Sequence, residues 1–171
     1  MIEPLSTPPP AADVAALSAL LRDAVEGGAS VGFLLPLTAA DVSAYWSGVF
    51  AAVAAGHRLL LVARDDAGRI VGSVQLELAQ KSNARHRCEL QKLLVLRSHR
   101  GHRLGFTLMQ SAETAARAQG RTLIVLDTSA TGNALNLYDR CGYTRVGVIP
   151  RYATDPDGPF IDTVIYYKAL A

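Results

Sequence analysis

Leu94-Val95-Leu96-Arg97-Ser98-His99-Arg100-Gly101-His102-Arg103-Leu104-Gly105-Phe106-Thr107 is the stretch whose reading decides the fold. An apolar, strand-like run ends in a basic loop with two glycines, and a helical pattern starts at once. Such a join presents free backbone N–H groups and a helix N-terminus, which together suit a phosphate. Arginines in the loop add charge-assisted contacts. The stretch predicts a strand–loop–helix unit that holds a phosphate-bearing cofactor. The bland alternative makes Gly101 and Gly105 ordinary turn residues.

Charge gathers in the same place. From Arg85 to Arg103 there are six Lys or Arg and one acid, Glu89, a local balance of +5 against +2 for the whole chain. A field of that sign steers an anionic cofactor to the loop. The overall +2 is too small for general nucleic-acid binding. At 171 residues, half of them hydrophobic and 19% charged, the chain reads as one folded domain over residues 1–171. Cys88 and Cys141 have neither metal-knuckle spacing nor the numbers of a disulfide scaffold, so reduced, buried thiols in a cytoplasmic protein are expected. The start lacks the pattern of a signal peptide. No apolar run reaches the roughly 18 residues of a membrane span, so no membrane partner is expected.

Working outward, residues 1–10 carry four prolines and suggest a short strand near Met1–Leu5 with an extended lead-in. Val14, Leu17, Leu20, Leu21 and Ala24 fall at helical spacing and predict a helix over Ala11–Glu26. Thr38 reads as the N-cap of a second helix to about Ala55, with Asp41 as its acidic partner. The period then changes. Arg58–Arg64 and Ile70–Ala79 read as a hairpin about Asp65-Asp66-Ala67-Gly68, and His86–Leu96 as a third strand. A helix follows over Leu104–Gln119, a short buried strand over Leu123–Leu126, and a short helix over Asn133–Arg140. Tyr143–Ile149 and Phe160–Tyr167 read as the last strands, joined by a turn around Asp155-Pro156-Asp157-Gly158. The order implies an α/β (α+β) fold: a mixed sheet with helices on its faces.

Arg100-Gly101-His102-Arg103-Leu104-Gly105 resembles the phosphate loop of the GNAT superfamily of acyl-CoA-dependent N-acyltransferases, Arg/Gln-x-x-Gly-x-Gly/Ala, with Arg103 in place of the middle glycine. Ala134-x-x-Leu137-Tyr138-x-x-Cys141-Gly142-Tyr143 is similar to a second segment of that family. Glu89 to Leu96, Leu126-Asp127-Thr128, Tyr143 to Gly147 and Pro156-Asp157-Gly158 together resemble the tabtoxin-resistance type of acetyltransferase. The resemblance spans roughly Arg58 to Tyr167. It implies a mostly antiparallel sheet of six to seven strands with about four helices, and acetyl-CoA as co-substrate. It further implies transfer of an acetyl group to the amine of a small molecule, such as an amino-acid-like toxin or antibiotic, by direct attack in a ternary complex. A protein N-acetyltransferase and a non-catalytic acyl-CoA sensor are the alternatives. The late strands are the candidate surface for a homodimer.

Acyl transfer from a thioester to an amine has three needs: a positioned thioester, a neutral amine and a stabilised leaving thiolate. The resemblance assigns the pyrophosphate to backbone N–H groups of Gly101, His102, Arg103, Leu104, Gly105, Phe106 and Thr107, with charge from Arg100 and Arg103. It assigns the pantetheine arm to backbone groups of Leu94, Val95 and Leu96 beside a bulge. It makes Tyr138 the acid; the bland reading is a packed tyrosine. Where the family often has Asn, this chain has Thr131, so Asn133, and after it Asn136, are the candidates for that contact. Glu89 and Asp127 are the candidate bases; the bland readings are an ion pair of Glu89 with Arg87, Lys92 or another cation, and Asp127 anchoring the next loop. Burial is expected to make Glu89 a better base. The His99/His102 pair, among arginines, is a poor metal site, and none is expected. Tyr45 and Trp46 read as core. Ser30–Leu35 and the Tyr152–Phe160 turn are candidate acceptor walls. Asp155, Asp157 and Asp162 suit either a cationic acceptor or a solvated turn.

Overall fold

The structure is a computed structural model describing residues 1–132, 134–156 and 158–170. The order is β1 (Ile2–Pro4), α1 (Ala11–Glu26), α2 (Ala39–Ala54), β2 (Arg58–Arg64), β3 (Ile70–Leu78), β4 (Arg87–Val95), α3 (Leu104–Ala118), β5 (Leu123–Ser129), α4 (Ala134–Arg140), β6 (Thr144–Thr154) and β7 (Phe160–Ala169). The seven strands form one sheet in the order β1-β2-β3-β4-β5-β7-β6. Among the described residues only β4 and β5 run parallel. Parallel neighbours need a crossover rather than a hairpin, and α3 supplies it. The expected mixed, mostly antiparallel sheet with four helices is what the chain forms.

Alternation along the strands feeds two cores. Leu61, Val74, Leu76, Leu90 and Ile124 face α3 and α4, where Leu108, Met109, Ala112 and Tyr138 are buried. Leu60, Val62 and Leu94 face α1 and α2, where Leu17, Leu20, Leu21 and Trp46 are buried. A sheet covered on both faces needs apolar residues at successive positions, which is why β2 reads as a continuous apolar run. Thr38 caps α2 as expected: Asp41 N–H donates to Thr38 Oγ1 (3.1 Å), and Thr38 N–H donates to Asp41 Oδ2 (3.0 Å).

Several boundaries differ from the sequence reading, each for a physical reason. β5 continues through Asp127 to Ser129, because β7 stays paired with it as far as Ser129↔Thr163. β6 runs through Pro150 to Thr154. Proline has no N–H to give a ladder, but β6 is an edge strand, where the missing donor faces solvent. The expectations placed on Asn133 and Asp157 lie outside the described residues.

One ion-pair cluster ties the N-terminus down. Arg64 donates two hydrogen bonds to Asp13 (2.8 Å each) and one to Glu3 (2.6 Å), joining β2, α1 and β1. The Arg64 bonds hold the Asp13 carboxyl below its usual range, against the cost of its burial. A depressed carboxylate stabilises the fold above its unfolded pKa of about 3.9 and loses that contribution as pH falls through the folded value. Asp13→Asn is therefore expected to cost about 1.5–3 kcal/mol at pH 7. In urea melts the gap from the parent should narrow as pH drops below about 4; an equal cost at pH 7 and pH 3 would contradict the assignment.

Candidate active site

The site starts from a change of partner along β4. Arg87, Cys88 and Glu89 pair with Leu123, Ile124 and Val125 of β5, and there the parallel pairing stops. On its other side β4 stays paired with β3, but the register slips between Ser73 and Gln75, opposite Leu94 and Gln91. Lys92 occupies the slip with φ of 49°, the backbone of a β-bulge. Beyond Glu89 the two parallel strands therefore diverge, and Glu89 stands at the apex of the opening. Leu96 N–H is committed to the Val71 carbonyl (2.9 Å). In an antiparallel ladder that direction alternates, which turns Val95, between Leu94 and Leu96, toward the open side. The Val95 carbonyl there accepts from Arg100 Nε (3.2 Å).

The basic loop closes the end of the opening. The first bond of α3 runs from Thr107 N–H to the Arg103 carbonyl (3.0 Å), so Leu104, Gly105 and Phe106 keep N–H groups of a helix N-terminus that are free among the described residues. Arg103 caps α3 with φ of 60°, and Gly101 has φ of 86°. The left-handed backbone at 103 explains why glycine suits this position and shows that arginine adopts the same conformation. Gly105 lies in the first turn of α3 with its α-carbon against Leu137 of α4: an added Cβ would meet Leu137 Cδ2 at 3.4 Å. Phe106 and Leu104 lean on the same core, while His102 and Thr107 are exposed. The three arginines part company. Arg97 is spent on α1, donating from its backbone N–H (2.9 Å) and Nε (2.8 Å) to the Asp23 carboxylate. Burial opposes ionisation of Asp23, and the Arg97 bonds outweigh it, so its carboxyl is held low. Arg100 and Arg103 are exposed at the loop.

Tyr138 comes from α4 to the diverging end of β5. Its ring packs among Tyr143 and Tyr166 (centroids 6.2 and 5.7 Å away), so it is a core tyrosine as well as a site candidate. Burial, and then the Asp127 charge, push its hydroxyl up to about 12, against a hydrogen bond with the Thr128 side chain. It stays protonated at neutral pH. Thr128 is a neighbour that the sequence reading did not single out. Asn136 is exposed on α4.

The acids occupy one polar strip. Glu89 lies directly opposite Glu77 of β3. Like charges facing across a ladder repel. Gln91 relieves this by donating from Nε2 to both, at 2.7 Å to Glu89 and 3.3 Å to Glu77. Arg58 holds Glu77 (2.5 Å) and Gln75 (2.8 Å), and Gln75 donates to the Tyr45 hydroxyl (2.9 Å). Glu89 forms no ion pair among the described residues. It is half-buried rather than enclosed, and Asp127 is exposed. The two candidate walls meet: Leu35 N–H donates to the Pro156 carbonyl (2.7 Å), joining the α1–α2 loop to the β6–β7 turn. An open depression of about 560 Å³ lies under the first of them, lined by Gly32, Phe33, Leu37 and Tyr45 among others. Asp162 accepts from Arg151 N–H (2.9 Å) and so serves the β6 bulge. Among the described residues no His, Cys, Asp or Glu cluster could hold a metal, and no helix is long and apolar enough to cross a membrane.

Residues 19–143 match the Acetyltransferase (GNAT) family. The chain belongs to that family. Solved structures agree on the fold over nearly full length. A ribosomal-protein-alanine N-acetyltransferase from Brucella melitensis superposes with a TM-score of 0.80 at 24% identity, covering 99% of both chains. A phosphinothricin acetyltransferase from Sinorhizobium meliloti, solved with acetyl-CoA, gives 0.82 at 17% identity, covering 100% of this chain and 88% of that one. An acetyltransferase of putative assignment from Salmonella typhimurium, also with acetyl-CoA, gives 0.80 at 20% identity, covering 100% and 94%.

The loop geometry makes a direct prediction. Arg103→Gly relieves a left-handed side-chain residue and is expected to keep or raise stability, by up to about 1 kcal/mol. Gly101→Ala places a Cβ at φ of 86° and is expected to cost at least that much. Thermal melts of the two variants should move in opposite directions; a large loss in Arg103→Gly would contradict the strain argument.

Proposed function

We propose that this acetyltransferase uses acetyl-CoA to acetylate the amine of a small molecule, an amino-acid-like compound being the best candidate, in a single ternary complex. The observation that carries the reading is the divergence of β4 from β5 just past Glu89, with the free N-terminus of α3 at one end and the Tyr138 hydroxyl at the other. Acetyl-CoA, when bound, supplies an activated acetyl thioester. The residues present suit it: N–H groups at Leu104 to Phe106 that have no partner among the described residues for phosphates, Arg100 and Arg103 for charge, and the outward-turned backbone of Val95, once Arg100 releases its carbonyl, for an amide-bearing arm.

Glu89, or Asp127 beside it, takes the proton that an incoming ammonium must shed, directly or through water. Tyr138 stays neutral at working pH and directs its O–H to the departing sulfur. The thiols play no part. Burial pushes Cys88 up to about 11 and raises Cys141 as well, so neither offers a thiolate for an acyl-enzyme. Direct attack is the economical route. The phosphinothricin acetyltransferase among the similar structures favours an amino-acid-like acceptor, whereas the ribosomal-protein-alanine N-acetyltransferase favours an alanine of a protein. The narrower likeness to the tabtoxin-resistance type rests on the sequence matches alone.

Thiol release from acetyl-CoA across a panel of amines, tabtoxinine-like compounds included, tests the reading. Release with a small amine supports it; binding of acetyl-CoA with no release from any amine favours a sensor. Glu89→Gln is expected to lower kcat about 100-fold with acetyl-CoA KM changed less than about threefold. Tyr138→Phe is expected to lower kcat by about 10- to 100-fold in the same pattern. Unchanged turnover at saturating amine would remove the residue concerned from the mechanism.

A further inference from the structure

Lys92 is the residue that the acetyl-transfer reading leaves without a task. It sits in the β4 bulge with φ of 49°. Its neighbours Gln91 and Leu94 face the α1–α2 side, and the bulge keeps Lys92 on that side too. Its Nζ reaches the α1–α2 loop: a Cβ built on Gly32 would lie 3.7 Å from it. Gly32 has φ of 85° and lines the open depression described above. Any other residue at 32 would be strained and would put its side chain against the ammonium. Glycine leaves that face of the amine uncovered.

The charges around Lys92 do not settle on it. The carboxylates of Asp127 and Glu89 and the guanidinium of Arg58 are its charged neighbours. Among the described residues Lys92 makes no ion pair and no hydrogen bond. Arg58 is spent on Glu77 and Gln75, and Glu89 on Gln91. A half-buried ammonium without a counter-ion is a standing electrostatic cost. Burial accordingly draws its amine below the usual lysine range, against the pull of Asp127. An anion delivered to Nζ removes the cost.

We propose that Lys92 is the anion anchor of the acceptor site, so that the enzyme takes amines that also carry a carboxylate or comparable oxyanion, the amine lying beside Glu89 and Asp127 and the anion on Lys92 Nζ. A zwitterion matches the part of the strip where Lys92, Glu89 and Asp127 bring both signs together and make no ion pair among the described residues. This inference rests on the small-amine reading above and narrows its substrate class.

The test compares the standard α-amino acids with their primary α-amides as acceptors at saturating acetyl-CoA. In the parent enzyme the acids are expected to have KM values about 10- to 100-fold below those of their amides. Lys92→Met should raise KM for the acids by the same factor and leave the amides and acetyl-CoA within about threefold. Lys92→Arg should keep the preference. Equal KM values for acids and amides in the parent, a measurement that needs no variant, would overturn the proposal while leaving the acetyltransferase reading intact. So would a Lys92→Met enzyme in which kcat falls alike for acids and amides with KM unchanged, which would make Lys92 part of proton transfer. No turnover of any acid or amide, with thiol released by amines that carry no oxyanion, would overturn this inference and leave the small-amine reading standing; no release from any amine of the wider panel would overturn both.

Discussion

A strand that keeps one neighbour and gives up the other is the constraint behind the site. β4 holds β3 along its length and β5 for three residues only. Backbone N–H and C=O groups left without partners in a protein interior are costly. The open side of β4 must therefore face water or be met by another chain of amides. The bulge at Lys92 enforces this, because it changes the twist of β4 without breaking its ladder to β3. The helices then follow. α3 must start where β4 stops, and α4 must come back to the free end of β5. The N-terminus of α3 and the helix that carries Tyr138 thus come to the diverging ends of β4 and β5 without any long loop to position them.

The opposite face of the same strands carries the polar strip. Two glutamates face each other across β3 and β4 and share one amide, Gln91. This arrangement ties the acid at the apex to side chains on three strands and, through Gln75, to Tyr45 of α2. Side-chain networks of this kind hold a geometry more firmly than any one of their bonds would. The apex acid is then positioned by the sheet rather than by the ligand.

Much of this was legible in the chain, where the signal is local. The bounds of α1 follow from its apolar spacing, the start of α2 from Thr38 and Asp41, and the basic loop from its glycines and arginines. Features created by the register between distant strands were not legible. Nothing around Asp127 says that β5 runs on to Ser129, because β7 holds it there. Pro150 reads as a stop, and becomes permissible only once β6 is known to be an edge. Lys92 left a faint trace: with Glu89 and Gln91 it breaks the polar–apolar alternation of the strand by one residue, as a bulge does. That Arg97 serves α1 whereas Arg100 serves β4 is equally a matter of what lies opposite each.

Pro150 has a wider consequence for the sheet as a whole. An exposed edge strand is a template on which other chains can pair and aggregate. Here both ends of the sheet are blunted. β1 is three residues long and ends in Pro4, and β6 is interrupted by Pro150 and by the left-handed turn at Arg151. Arg151 also lays its guanidinium over Phe160, 4.4 Å from the ring centroid, which puts charge on an otherwise apolar rim. The central strands can leave backbone open for function because the outer ones offer no unbroken row of donors and acceptors to a stray chain.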